Sequence, residues 1–164
     1  MEMINLNLQH TEMDKDTAEN ILNWKYDSPY DFYNNELNEE ELAEMLNGSY
    51  FAIYNDLKEL IGFFCTGYSA QVPTGKKLGM YEENFIDMGL GMNPHLVGRG
   101  SGYNFCSYIL KYIEENHPKN PIRLTVAEFN SRAIHLYKKL GFVPMKEFGT
   151  GFADFTIMVK RPSM

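Results

Sequence analysis

Cysteine is scarce in this chain. Cys65 and Cys106 are the only two in 164 residues, they lack metal-ligand spacing, and both sit in apolar surroundings, so they read as reduced, buried thiols. No apolar run approaches the roughly 20 residues that span a bilayer. The N-terminus, Met1-Glu2-Met3-Ile4-Asn5, has no basic region leading into an apolar stretch, so it does not read as a signal peptide. Together these absences point to the cytoplasm and to no membrane partner. Basic residues are also few: 15 Lys and Arg face 22 Asp and Glu, a net charge of −7. That balance argues against nucleic acid, which selects a basic face. It is compatible with a cationic amine ligand, although acidic soluble proteins commonly carry such charge for solubility alone. His10, His95, His117 and His135 make no pattern such as H-E-x-x-H, so no metal is implied. Repeats, low-complexity tracts and linkers are missing too, which leaves residues 1–164 as a single domain with 44% hydrophobic content for its core.

What is present is an alternation of strand and helix signals. Residues 3–8 alternate apolar and polar and read as a strand. A short helix over Thr17–Trp24 follows a cap at Asp16, and Asp27-Ser28-Pro29 breaks it. Asn38 caps a second helix with Leu42, Met45 and Leu46 on one face, ended by Gly48. Strands follow over Ser49–Tyr54 and Leu60–Tyr68, with a turn starting at Asn55-Asp56. Ser69–Glu83 is polar, carries Pro73, Gly75 and Gly79, and reads as a long mobile loop able to serve as a lid. A strand over Phe85–Met92, a helix over Tyr103–Asn116 and a strand over Ile122–Val126 come next. Asn130 then opens a helix striped by Ile134, Tyr137 and Leu140 and stopped by Gly141. Strands Phe142–Phe148 and Phe152–Lys160 close the chain. The order β-α-α-β-β-β-α-β-α-β-β predicts an α/β (α+β) fold, a mixed sheet with helices on both faces.

Two blocks carry chemistry. The first, Met92 to Gly102, places Gly98-Arg99-Gly100-Ser101-Gly102 between a strand and a helix. Unpaired N–H groups and the positive end of the dipole at a helix start suit an anionic phosphate. The spacing is neither the dinucleotide G-x-G-x-x-G nor a P-loop, since no Lys-Ser or Lys-Thr follows. It resembles the pyrophosphate loop of the GNAT superfamily of N-acetyltransferases, Gln/Arg-x-x-Gly-x-Gly/Ala, with Val97 where Gln or Arg is usual. The second block runs from Leu124 to Phe142. It resembles the same family's Asn-x-x-Ala-x-x-Leu-Tyr-x-x-x-Gly-Phe at every named position, from Asn130 through Ala133, Leu136 and Tyr137 to Gly141 and Phe142.

The resemblance implies a mostly antiparallel central sheet that splays open between its fourth and fifth strands, Phe85–Met92 and Ile122–Val126, which run parallel. It implies acetyl-CoA as co-substrate. Its pantetheine would pair with the backbone of Leu90, Gly91 and Met92, and its pyrophosphate would sit on the amides of Val97, Gly98, Arg99, Gly100, Ser101, Gly102 and Tyr103. Asn130 would contact the pantetheine, and Tyr137 would lie near the thioester sulfur. Because Val97 lacks the usual polar side chain, backbone amides have to hold the anion.

Acyl transfer to an amine needs a neutral amine, donors for the oxyanion and a proton for the departing thiolate. A lysine-like amine has a pKa of about 10.4, so neutralising it at pH 7 costs about 4–5 kcal/mol. The Met92 N–H is the candidate oxyanion donor. Tyr137 is the candidate acid, a phenol of pKa about 10 facing a thiol of about 8.5; the alternative is an ordinary aromatic in the helix stripe. Asp87 is the first candidate base, on a strand where it faces either solvent or a cleft, with Glu82, Glu83, Glu128 and ordered water as alternatives. Trp24, Tyr26, Tyr30 and Tyr33, with Asp27 and Asp31 nearby, are candidates to line the pocket for the acceptor amine, or else pack helices onto the sheet. The leading function is an acetyl-CoA-dependent N-acetyltransferase acting on a primary amine of a small molecule, peptide or protein. A non-catalytic acyl-CoA sensor and a plain nucleotide-binding protein are the competing readings. The apolar final strands leave a homodimer open.

Overall fold

The computed structural model describes residues 7–97 and 100–163. The order of elements is β1 (Gln9–Glu12), α1 (Lys15–Leu22), a 3-10 turn (Tyr30–Tyr33), α2 (Glu39–Met45), β2 (Tyr50–Tyr54), β3 (Leu60–Thr66), a second 3-10 turn (Gly67–Ala70), α3 (Pro73–Lys77), β4 (Ile86–Met92), α4 (Gly102–Asn116), β5 (Ile122–Ala127), α5 (Ser131–Lys139), β6 (Val143–Gly149) and β7 (Asp154–Lys160). The chain packs as two compact units. One comprises Met1–Cys65 with Leu90–Phe105, the other Thr66–Gly89 with Cys106–Met164, so β4 and α4 each begin in one unit and end in the other. The strand order is β1-β2-β3-β4-β5-β7-β6. It is a mixed α/β architecture in which β4 and β5 form the parallel pair and the other described ladders are antiparallel.

In the first unit, β1 pairs with β2 from Gln9 opposite Tyr54 to Glu12 opposite Phe51. The sequence places a strand over residues 3–8. Residues 3–6 lie outside the described residues, and Asn7 and Leu8 precede the strand. Tyr54 is the last residue of β2 before the turn, and Gln9 is its partner in the ladder. That turn is built by Asn55, whose Oδ1 accepts from the N–H groups of Leu57 and Glu59 at 3.0 and 2.8 Å.

The cap of α1 is Asp14 rather than Asp16. Its Oδ1 accepts from Thr17 N–H at 2.8 Å, and Asp16 lies in the first turn. Both aspartates suit a helix start. The earlier one places Ala18, Ile21 and Leu22 together on the buried face, where they pack with Met45 of α2 and with Trp24, Leu42 and Phe63. Asn38 caps α2 as its sequence indicates, accepting from Glu41 N–H at 2.8 Å.

In the second unit, β5 runs against β7 from Ile122 opposite Lys160 to Ala127 opposite Phe155, and β7 pairs with the edge strand β6. The segment 69–83 is not the continuous loop expected. It carries helical turns and is anchored by Tyr81, whose hydroxyl accepts from Val72 N–H at 3.1 Å and shares a 2.7 Å hydrogen bond with Thr125. Gly75 is buried there, and only glycine fits, because a Cβ would meet the Tyr81 ring at 2.8 Å.

The end of α5 is a two-bond reversal. Phe142 N–H donates to the Tyr137 carbonyl at 3.0 Å, and Gly141 N–H donates to the Lys138 carbonyl at 3.1 Å. Gly141 has φ +102°, and the Phe142 ring packs edge-on against Tyr137 with centroids 5.9 Å apart. This is the Schellman arrangement with its hydrophobic contact. It gives the Tyr-x-x-x-Gly-Phe spacing a physical basis: tyrosine, glycine and phenylalanine are the third residue from the helix end, the left-handed residue and the residue that packs back.

Candidate active site

The first unit holds the end of β4 and the start of α4. Asn93 pins the strand end to β3: its N–H donates to the Ile61 carbonyl at 2.8 Å and its Nδ2 to the Leu60 carbonyl at 3.1 Å. Successive residues of an extended strand aim their N–H and C=O groups at opposite edges. Since Asn93 faces β3, so does Gly91, while Met92 and Leu90 turn theirs to the other edge; the resemblance assigns all three of Leu90, Gly91 and Met92 to pantetheine pairing. Gly91 lies close beneath the Phe63 ring, and a Cβ on it would collide with that ring. Gly62 on β3 is likewise covered by the Phe105 ring of α4; a Cβ there would stand 2.5 Å from Phe105 Cζ.

The loop from Met92 to α4 turns at Asn93, whose Oδ1 accepts from His95 N–H at 3.0 Å, and passes through Val97. Gly98 and Arg99, two of the residues assigned to the pyrophosphate, lie outside the described residues. Gly100 has φ +80° with open space where a Cβ would go. Ser101 is 2% exposed, and its Oγ has no hydrogen-bond partner among the described residues. Its carbonyl accepts from Phe105 N–H at 3.0 Å, which opens α4. Gly102 and the half-exposed Tyr103 form that first turn. A buried, unpartnered hydroxyl beside the N-terminal amides of a 15-residue helix suits an anion that accepts from both.

The aromatic segment ahead of α2 divides in two. Trp24 belongs to the packed cluster of α1 and α2, its ring 6.3 Å from that of Phe63. Tyr26 donates its hydroxyl to the Met92 carbonyl at 2.6 Å, and burial pushes its pKa up to about 12. Tyr30 and Tyr33 are half-buried in the 3-10 turn, and the Phe32 and Tyr33 rings meet edge-on. Asp27 and Asp31 are exposed. The structure thus brings Tyr26 to the β4 end, while Trp24 serves the core.

The second unit holds Asp87, Asn130 and Tyr137. Asp87 faces neither solvent nor a cleft, as the strand reading had it. It is 3% exposed and bonded on both oxygens: Arg123 Nε–H reaches Oδ1 at 2.7 Å, and Arg123 Nη2 and Gln71 Nε2 reach Oδ2 at 2.9 and 2.8 Å. Arg123 is 1% exposed, and its guanidinium lies 5.0 Å from the Tyr81 ring centroid and 5.2 Å from that of Phe85. Its Nη1 reaches Glu83 at 3.2 Å, and Glu83 in turn takes Lys146 at 2.8 Å. The hydrogen bond from Lys146 is the chief reason the Glu83 carboxyl is held below its usual range. Asp87 and Arg123 stand opposite each other in the parallel ladder, next to Ile86 opposite Ile122. These two pairs lie at the beginnings of strands that continue to Met92 and Ala127.

Arg123, Gln71 and Tyr81 were missed by sequence reasoning. A signal existed: Arg123 is a lone charge inside the apolar run Ile122 to Val126, as Asp87 is in its own strand, and opposite lone charges in two buried strands invite pairing. Of the alternative bases, Glu82 is exposed, Glu83 is bonded to Arg123 and Lys146, and Glu128 accepts from Thr156 Oγ1 at 3.4 Å. Asn130 caps α5, its Oδ1 accepting from Ala133 N–H at 3.1 Å. Tyr137 is 9% exposed in the last turn of that helix. Among the described residues no cluster of His, Cys, Asp and Glu could hold a metal ion, and no helix is long and apolar enough to cross a membrane.

The model of the acetyltransferase (GNAT) family matches residues 16–142. The chain belongs to that family and is, by class, a GNAT acetyltransferase. Solved structures agree on the fold. A chimera of the Vibrio cholerae spermidine N-acetyltransferase SpeG with hSSAT is 21% identical with a TM-score of 0.68, over 94% of this chain and 95% of that one. SpeG from Vibrio cholerae in complex with manganese ions is 20% identical with a TM-score of 0.66, over 94% and 92%. An acetyltransferase structure from Acinetobacter baylyi is 17% identical with a TM-score of 0.65, over 96% and 94%. No curated protein matches the chain.

Proposed function

We propose that this chain is an acetyl-CoA-dependent N-acetyltransferase that acts on a primary amine of a small molecule, peptide or protein. Ser101 carries the reading: its hydroxyl is buried and unpartnered at the first turn of α4, where an anionic diphosphate would satisfy it together with the N–H groups of residues 100–103. Acetyl-CoA supplies the acyl group as a thioester, a form open to attack by an amine. The edge of β4 at Leu90 and Met92 offers backbone pairing to an extended chain, and the Met92 N–H is assigned as the donor to the thioester carbonyl oxygen. Tyr137 is assigned as the acid that returns a proton to the sulfur. Its place is fixed from below, because its own carbonyl is bonded to Phe142 N–H.

Asp87 is given no part in proton removal. Three hydrogen bonds, two of them from a guanidinium, occupy both of its oxygens, and at 3% exposure they are closed to an amine. Its role is to hold β4 to β5 where the two strands begin. The amine is then deprotonated through water. The family match runs through both compact units, so the two are read as one catalytic domain. The segment 27–44 carries Asp27, Asp31, Glu36, Glu39, Glu40, Glu41 and Glu44 against no Lys or Arg, which favours an acceptor that is cationic in solution. A related fold acts on spermidine, a polyamine of that kind. Buried cysteines, with the Cys106 thiol pushed up to about 12 by its surroundings, suit a reducing cytoplasm.

The test is release of free thiol from acetyl-CoA over an amine panel, with wild type and Tyr137→Phe, alongside titration of CoA. The expected result is turnover that falls at least about a hundredfold in the variant, the scale of a lost general acid, at unchanged CoA affinity. Binding of CoA without turnover on any amine would favour a sensor; preference for ATP or NAD over CoA would remove the reading altogether.

A further inference from the structure

The loop between α1 and α2 is closed on itself. Asn34 Oδ1 accepts from Tyr26 N–H at 2.7 Å, Lys25 Nζ donates to the Asn35 carbonyl at 3.0 Å, and Tyr30 N–H donates to the Asp27 carbonyl at 2.8 Å. These bonds fix the loop's shape but not its place. At its start Trp24 packs on the α1 and α2 cluster, and the 2.6 Å bond from the Tyr26 hydroxyl to the carbonyl of Met92, 66 residues further along the chain, ties it to the end of β4. That carbonyl lies on the edge of β4 turned away from β3, the same edge that carries the Met92 N–H. Because burial holds the Tyr26 phenol protonated up to about pH 12, it donates throughout the working range.

We propose that Tyr26 is a positioning residue whose hydroxyl, seated on the Met92 carbonyl, fixes the aromatic and acidic loop 24–35 at the end of β4 and so sets where the acceptor amine meets the Met92 backbone. A second consequence concerns register. With its carbonyl already accepting from Tyr26, Met92 offers its N–H as the free donor on that edge, and a chain pairing on β4 meets the Tyr26 hydroxyl at Met92. The inference rests on the acetyltransferase reading for the identity of the acceptor, but the latch itself does not.

Tyr26→Phe removes one oxygen and keeps the ring. In the ligand-free full chain, amide hydrogen exchange over 24–35 should speed up by about threefold to tenfold, the equivalent of one ordinary net hydrogen bond, with exchange in β5 and β7 unchanged. In turnover assays the acceptor KM should rise by a similar factor, while the dissociation constant of CoA stays the same. Unchanged exchange over 24–35 overturns the proposal, and so does a loss that falls equally on CoA affinity and acceptor KM. If the wild type acetylates no amine at all, the acetyltransferase reading fails, and the exchange measurement alone decides the latch.

Discussion

Replacing Arg123 by methionine removes the charge from the centre of the network in the second unit while keeping a long apolar stem between the Tyr81 and Phe85 rings. The loss has two parts. A bidentate pair at 2.7 and 2.9 Å disappears, and Asp87, 3% exposed, is left charged with only Gln71 to bond. Breaking a buried pair from one side costs about 3–5 kcal/mol, chiefly through the stranded partner. Domains of this kind are stable by about 5–15 kcal/mol, so Arg123→Met should remove a third or more of a typical stability. With a urea slope of about 2 kcal/mol per molar, the midpoint should fall by about 2 M. Far-UV circular dichroism against urea reads this directly. The companion variant Arg123→Met/Asp87→Leu removes both charges, and Gln71, half-buried, can turn to water. It should recover most of the loss, because replacing a buried pair by apolar residues is often close to neutral. Additive losses in the double variant, or a loss below about 1 kcal/mol in the single one, would refute the view that the pair's cost lies in the charge left behind.

Two further perturbations bear on single bonds. Glu83 has a folded-state pKa below the ordinary value of 4.5, so its contribution is fully present above that value and fades as pH falls through the lower folded value. The urea-midpoint difference between wild type and Glu83→Gln should therefore hold at about pH 6 and shrink below about pH 4.5, and a difference independent of pH would show that Lys146 does not set it. Gly141→Ala puts a Cβ on a residue at φ +102° and should cost about 1–2 kcal/mol in thermal or urea unfolding. A neutral result would mean that the α5 end does not need its left-handed turn.

What the sequence made legible was local. The caps at Asn38 and Asn130, the stop at Gly141 and the turn at Asn55 each depend on residues within five positions, and all four stand in the structure. The second acetyltransferase block was readable for the same reason: its glycine and phenylalanine terminate the helix that carries Tyr137. What escaped depended on distant partners. Asp87 is paired with Arg123, 36 residues away, and the only trace of that pairing in the sequence is a second lone charge in another buried strand. Residues 69–83 look like loop because they are polar and interrupted by Pro73, Gly75 and Gly79. Their fold depends on Tyr81 reaching Thr125, 44 residues on. Asp14 and Asp16 are equally good caps by type, and only burial of Ala18, Ile21 and Leu22 chooses between them. The edge of β1 follows from where β2 ends, a fact written in another strand.

The two glycines at 62 and 91 act through what they lack. Each leaves a hollow the depth of one methyl group, and each hollow is filled by a ring from a neighbouring segment, Phe105 over one and Phe63 over the other. Phe105 lies in the first turn of α4, four residues after Ser101. The height at which that helix mouth rides above β3 is therefore gauged by a missing side chain some forty positions earlier in the chain. Any carbon added at residue 62 would act as a shim, pressing on the Gly91 carbonyl of β4 and on the Phe105 ring of α4 at once. A position with no functional group of its own thus sets the spacing between β3, the end of β4 and the first turn of α4.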